Sequence, residues 1–160
     1  MTVAGHAAPS LLPLRPPAFA LWFAALIVDY AADLHAAGLS AQAAENKART
    51  ELAKDFPGGV GTDAQLVFAV MVDGAQVGVI WIAPGPVDDS TNWWVYDLAI
   101  DPAFRRRGYG RAAMLLGEQE AAARGATRLS LNVFARNRSA AALYSSLGYQ
   151  PTKIHLQKRL

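Results

Sequence analysis

Residues Arg105-Arg106-Arg107-Gly108-Tyr109-Gly110-Arg111 put four guanidinium groups and two side-chain-free backbone positions into one short stretch. Guanidinium groups make charge-assisted hydrogen bonds to phosphate oxygens. Glycine tolerates positive φ and lets consecutive amides converge on one anion. An apolar strand-like run precedes the stretch and an alanine-rich helical run follows it. A helix start adds orphan N–H groups and a partial positive charge. The stretch therefore reads as a phosphate cradle. It is not a Walker loop, because no Gly-Lys-Ser/Thr follows. The spacing Gly108–Gly110–Ala113 formally meets a Rossmann fingerprint, but three or four strands come earlier and no carboxylate follows at the distance a ribose would need.

The elements around the cradle can be read from period and punctuation. Leu11 to Arg15 is a short strand fenced by prolines. Helical spacing runs through Phe19–Gly38, and Ser40 is placed to cap a second helix that ends before Pro57. Gln65–Val72 and Gln76–Ala83 are β-type runs joined through Asp73-Gly74, a hairpin signal. Trp93–Ile100 is a third strand, followed by the cradle and a helix closed by Arg124 and Gly125. Arg128–Phe134 reads as a strand, Asn137–Gly148 as a helix, and Tyr149–Leu160 as a closing strand or two. The order β-α-α-β-β-β-α-β-α-β predicts one α/β (α+β) domain over residues 1–160, a mixed sheet flanked by helices.

At 160 residues and 52% hydrophobic, the chain can bury a real core. With no cysteine, thiolate metal sites and cysteine nucleophiles are excluded. His6, His35 and His155 share no ligand spacing, so no metal is expected. No charge precedes Arg15, unlike a secretory leader, and Phe19–Val28 is too short to span a bilayer. A cytoplasmic protein without membrane contact is expected. The net charge of +2 hides an asymmetry: residues 1–100 carry four basic and ten acidic residues, a net of −6, while residues 101–160 carry eleven and three, a net of +8. Such a chain can hold an anion with one half and a cation with the other.

Two signatures in order resemble the GNAT superfamily of N-acetyltransferases. The first is Arg105-x-x-Gly108-x-Gly110 after a strand, led in by Leu98-Ala99-Ile100-Asp101-Pro102. The second is Asn137-x-x-Ala140-x-x-Leu143-Tyr144-x-x-x-Gly148-Tyr149. The resemblance covers residues 93–150 closely. It implies a GNAT-like, mostly antiparallel sheet with helices on both faces, acetyl-CoA as cosubstrate, and transfer to a primary amine by direct attack in a ternary complex. It further implies that Arg105, Arg106, Arg107, Gly108, Tyr109, Gly110 and Arg111 grip the pyrophosphate. Leu98, Ala99 and Ile100 would bind the pantetheine arm through backbone and help polarise the thioester. Asn137 would touch the pantetheine or pyrophosphate, and Tyr144 would stand near the sulfur. Homodimers are common in that family.

Acetyl transfer needs a neutral amine, a stabilised oxyanion and a proton for the leaving thiolate. Tyr144 holds its proton at neutral pH and is the expected acid. Asp97 is the expected base, directly or through water, with Tyr96 or a water relay competing. Strand alternation places Asp97 opposite Tyr96 and Leu98. The acceptor, a small-molecule or peptide amine, is expected between the first 60 residues and the loop Pro84–Asn92. There Asp29, Asp33, Trp22 and Tyr30 are acidic and aromatic wall candidates, and Trp93 and Trp94 belong to the core or the lip. A CoA-binding regulatory module without transfer activity is the alternative. A nucleic-acid-binding domain fits less well, because the basic residues lack an aromatic platform.

Overall fold

The computed structural model describes residues 8–86, 89–156 and 158. Five strands form one sheet in sequence order: β1 (Ser10–Pro13), β2 (Leu66–Val72), β3 (Ala75–Pro84), β4 (Asn92–Ile100) and β5 (Arg128–Leu131). Neighbours are antiparallel except β4 and β5, which run parallel. Helices α1 (Ala18–Ala36) and α2 (Ala41–Asp55) lie between β1 and β2 in the chain, α3 (Tyr109–Ala123) joins β4 to β5, and α4 (Arg138–Ser146) follows.

Local chemistry accounts for most boundaries. The Ser40 hydroxyl accepts the Ala43 N–H at 3.2 Å and starts α2. Asp73 (φ 50°) and Gly74 (φ 78°) make the tight turn between β2 and β3, whose paired positive φ values match the twist of the strands. The Asn137 side chain accepts the Ala140 N–H at 3.1 Å and starts α4.

Strand alternation feeds two cores. Phe68, Val70, Ile80, Ile82, Trp93 and Val95 pack with Tyr109, Ala113 and Met114 of α3. On the other face Val67, Ala69, Val79 and Trp81 pack with Phe19, Trp22 and Ile27 of α1 and Ala48 and Leu52 of α2. Helix α1 is long and apolar enough to cross a membrane by length and composition, since it continues past Asp29 to Ala36. Its place is set by the sheet: Phe19 and Trp22 meet Phe56 edge to face, and Trp22 meets Trp81 likewise. Tyr30 of α1 donates to Glu51 of α2 at 2.6 Å.

Two expectations for the last third are corrected. β5 ends at Leu131 rather than Phe134, and among the described residues after Gly148 none forms a strand. A four-residue edge offers little ladder, and Pro151 brings no N–H. Ile154 and Leu156 alternate with Lys153 and His155 and are exposed, with no face to bury against.

Candidate active site

The site is built where β4 and β5 part. Their parallel ladder runs from Asn92–Arg128 to Val95–Leu131 and stops. β4 continues alone on that side through Ile100, so its outer edge from Tyr96 onward faces no strand. Such an edge presents backbone donors and acceptors to any extended ligand laid in the wedge.

A bulge sits at the start of that free edge. Trp81 pairs with Asp97 while Ile82 pairs with Val95, so Tyr96 is the extra residue. A bulge breaks the period-two rule and puts two successive side chains on one face. Alternation had placed Asp97 opposite Tyr96, and the structure corrects this: both lie on the α1–α2 face. The Tyr96 ring stacks on Trp81 at 4.7 Å between centroids, and its hydroxyl donates to the Pro84 carbonyl at 3.3 Å. The Asp97 carboxylate accepts the Trp22 Nε1–H at 2.8 Å.

Burial is the chief reason the Asp97 carboxyl titrates above the usual aspartate range, and the nearby charge of Asp29 adds to it. The Trp22 N–H and the Leu98 backbone amide pull the other way by favouring the ionised form. Tyr144, half-buried on α4, is pushed up first by burial and then by the Asp97 charge. The acid–base candidates therefore share one electrostatic neighbourhood. Tyr96 is also raised, by burial and then by Asp55.

The cradle lies at the far end of the β4 edge. After Asp101, Pro102–Phe104 make one 3₁₀ turn; Arg106 (φ 62°) and Gly108 (φ 83°) then take left-handed conformations before α3 begins. Its N-cap, Gly108, has no side chain to close the first turn of α3. The backbone therefore delivers a helix N-terminus open to an anion. Tyr109 is buried in the α3 core, so it can face an anion only through its amide. Of the two glycines Gly108 uses the positive φ that the residue tolerates, and Gly110 lies within α3. An added Cβ there would sit 3.4 Å from Leu143 Cδ2, in ordinary contact with α4.

The arginines divide their work. Arg105 Nε donates to the Ile100 carbonyl at 2.8 Å and folds back on β4. Arg107 lies over the Phe104 ring at 5.8 Å, and Arg111 donates to the Ser146 hydroxyl at 2.8 Å, tying α3 to α4. Asn137 spends its carbonyl oxygen on the α4 cap.

Asp29 and Asp33 do not act as a pair. Arg136, from the loop before α4, forms an ion pair with Asp33 and stacks on Phe134 at 4.6 Å. Asp29 instead contributes to the field at Asp97. The reading of the sequence alone missed Trp22 as a partner of Asp97; a tryptophan on an apolar helix face carries no signal of what its N–H will meet. Trp93 is core, whereas Trp94 lines a cavity of about 210 Å3 with Pro86, Val95, Tyr96 and Asn132.

Known proteins share this fold. The structure of YycN from Bacillus subtilis superposes with a TM-score of 0.85 at 25% identity, covering 95% of this chain and 98% of that one. An aminoglycoside N-acetyltransferase in complex with CoA shares the fold, with a TM-score of 0.63 at 16% identity over 100% and 99% of the two chains. The uncharacterized N-acetyltransferase YdgE of Bacillus subtilis is 33% identical over 87 residues, 54% of this chain and 55% of that protein. The ribosomal protein bS18-alanine N-acetyltransferase of Salmonella typhimurium is 40% identical over 68 residues, 42% and 44% of the two. The chain spans about half the length of the curated relatives it matches. A model of the acetyltransferase (GNAT) family matches residues 27–149, which hold the parted strands, the bulge, the cradle and Tyr144, and the chain belongs to that family.

Proposed function

We propose that the protein transfers an acetyl group from acetyl-CoA to a primary amine of a small molecule or peptide, by direct attack within a ternary complex. One observation carries the reading: the β4–β5 ladder ends at Val95–Leu131, so a wedge opens beside Asp97 and a free strand edge leads from it to the uncapped start of α3. That layout suits a long thioester with a diphosphate at one end. Acetyl-CoA supplies the activated carbonyl and a thiolate leaving group.

The chain's own residues divide the remaining work. The amides from Arg106 to Arg111, with the exposed guanidinium groups, hold the diphosphate. Arg105 acts at one remove by bracing Ile100. The backbone of Leu98, Ala99 and Ile100 receives the pantetheine arm, Asn137 contributes its amide group, and backbone N–H groups of that edge stabilise the oxyanion. The amine nitrogen bonds to the carbonyl carbon and the carbon–sulfur bond breaks. Asp97 takes the amine proton, directly or through water, and its raised pKa makes it a stronger base than an ordinary aspartate. Tyr96 is a poorer candidate, because its raised phenol keeps a proton that it donates to Pro84. Tyr144 donates a proton to sulfur. Both amine classes have precedent among the relatives by name: an alanine of a ribosomal protein, and aminoglycosides.

Calorimetry with acetyl-CoA, followed by thiol release with an amine panel, tests the proposal. Binding with amine-dependent thiol release supports it. Binding without release from any amine points to the regulatory module, and no binding removes both readings.

A further inference from the structure

Resting on that reading, we propose that the cavity formed by Pro86, Trp94, Val95, Tyr96 and Asn132 is an acceptor subsite for an apolar or aromatic substituent next to the attacking amine. Its position comes from the bulge. Tyr96, the extra residue, lines the cavity on the face it shares with Asp97, the next residue along. Val95 is the last β4 residue paired with β5, and Asn132 is the first residue beyond the end of β5. The cavity thus lies at the mouth of the wedge, where an acceptor must enter.

Among the described residues its lining carries two aromatic rings and no charged side chain, and the rings are already held in place. Tyr96 is fixed by Trp81 on its face and by Pro84 at its hydroxyl. Trp94 lies 6.3 Å from Tyr96 between centroids and packs so closely on Gly85 that an added Cβ there would sit 2.6 Å from the indole. The Trp94 N–H is buried and finds no acceptor among the described residues, so the indole offers the cavity its apolar surface rather than its donor. Besides the Tyr96 hydroxyl, already bonded to Pro84, Asn132 brings the one amide side chain among the described lining residues. An apolar cavity of roughly 150 Å3 takes up benzene, so about 210 Å3 has room for a phenyl ring or a branched alkyl group. Acidic charge lies near the described lining: Asp97 is the residue after Tyr96, Asp29 acts on Asp97, and Asp55 acts on Tyr96. Asp33 is already matched by Arg136. This layout receives an amine at Asp97 and an apolar group against Trp94 and Tyr96.

The test compares phenylalaninamide, leucinamide and glycinamide as acceptors with acetyl-CoA. The proposal expects kcat/KM for the first two to exceed that for glycinamide by roughly tenfold or more. Trp94→Ala should shrink that ratio to about threefold or less, and Asn132→Phe, which fills the cavity from an exposed position, should lower it roughly tenfold. The acetyl-CoA Kd and melting temperature of each variant report whether the fold is intact. Equal use of the three amides overturns the subsite. So does a wild-type preference for hexanoyl-CoA over acetyl-CoA that Asn132→Phe abolishes, because the cavity would then hold the acyl chain. If acetyl-CoA binds but no amine is acetylated, transfer itself fails and binding decides the subsite. Quenching of tryptophan fluorescence by phenylalaninamide but not glycinamide, lost in Trp94→Ala, sustains it, and no difference removes it.

Discussion

The Asp97 carboxyl is shielded from water and meets two donors, the Trp22 indole and the Leu98 amide; the shielding outweighs them, so its pKa lies above its unfolded value. The linkage follows from proton counting. A folded state that binds the proton more tightly loses stability as pH rises from the unfolded pKa through the folded one, so at pH 7 the raised Asp97 carboxyl counts against the folded state. Asp97→Asn removes that deficit and still accepts from Trp22. The variant should melt higher than wild type at pH 7, with the gap closing as the pH falls below the ordinary aspartate range. Its turnover should drop by about 10²–10⁴. Unchanged turnover would remove the base assignment. Trp22→Phe deletes one influence that holds the carboxyl pKa down, so the acidic limb of kcat against pH should move to higher pH; an unmoved limb would make Trp22 a packing residue only. Tyr144→Phe should lower kcat by about 10²–10⁴ with little change in acetyl-CoA affinity. In wild type the alkaline loss of rate should come later than for an exposed tyrosine, because burial and Asp97 both raise Tyr144.

At the scale of elements, the proposed function rests on the bulge on β4 and the start of α3. Gly108 must reach φ 83°, where a side chain would strain the backbone. Gly110 faces Leu143 of α4, and its amide lies in the first turn of α3. Gly110→Asp sets a carboxylate where a diphosphate would dock and presses on α4. Acetyl-CoA binding should weaken at least about a hundredfold, the worth of one or two charged hydrogen bonds; calorimetry showing wild-type affinity would refute the cradle. Most of these elements were legible beforehand, because their signals are local: Ser40 and Asn137 at helix starts, Asp73-Gly74 at the turn, and arginines and glycines between strand and helix. The bulge was not, since Trp93–Ile100 reads as an unbroken β run and the extra residue exists only relative to β3. The closing strand was overread, because Ile154 and Leu156 have the right period but no partner face.

For the whole molecule, the charge asymmetry acquires a geometry. The basic half supplies the cradle, and the acidic half supplies Asp29 and Asp97 on the α1–α2 face. The two halves also meet directly, through Arg136–Asp33. A ligand bound across parted strands stabilises only the folded state. Acetyl-CoA at about 100 times its Kd should therefore add about 2.7 kcal/mol and raise the melting temperature by several degrees. A melt indifferent to acetyl-CoA would count against a preformed site.

By itself the sequence determined the elements and their order from β1 through α4, and it singled out the arginine–glycine loop and the acid–base candidates, because caps, turns and hydrophobic periods act over a few neighbouring residues. Only the tertiary structure decided that Tyr96 and Asp97 share a face, that Trp22 holds the carboxylate, and that the sheet opens beside Val95. Those facts depend on register between strands distant in the chain, and no local pattern records where a ladder slips by one residue or ends.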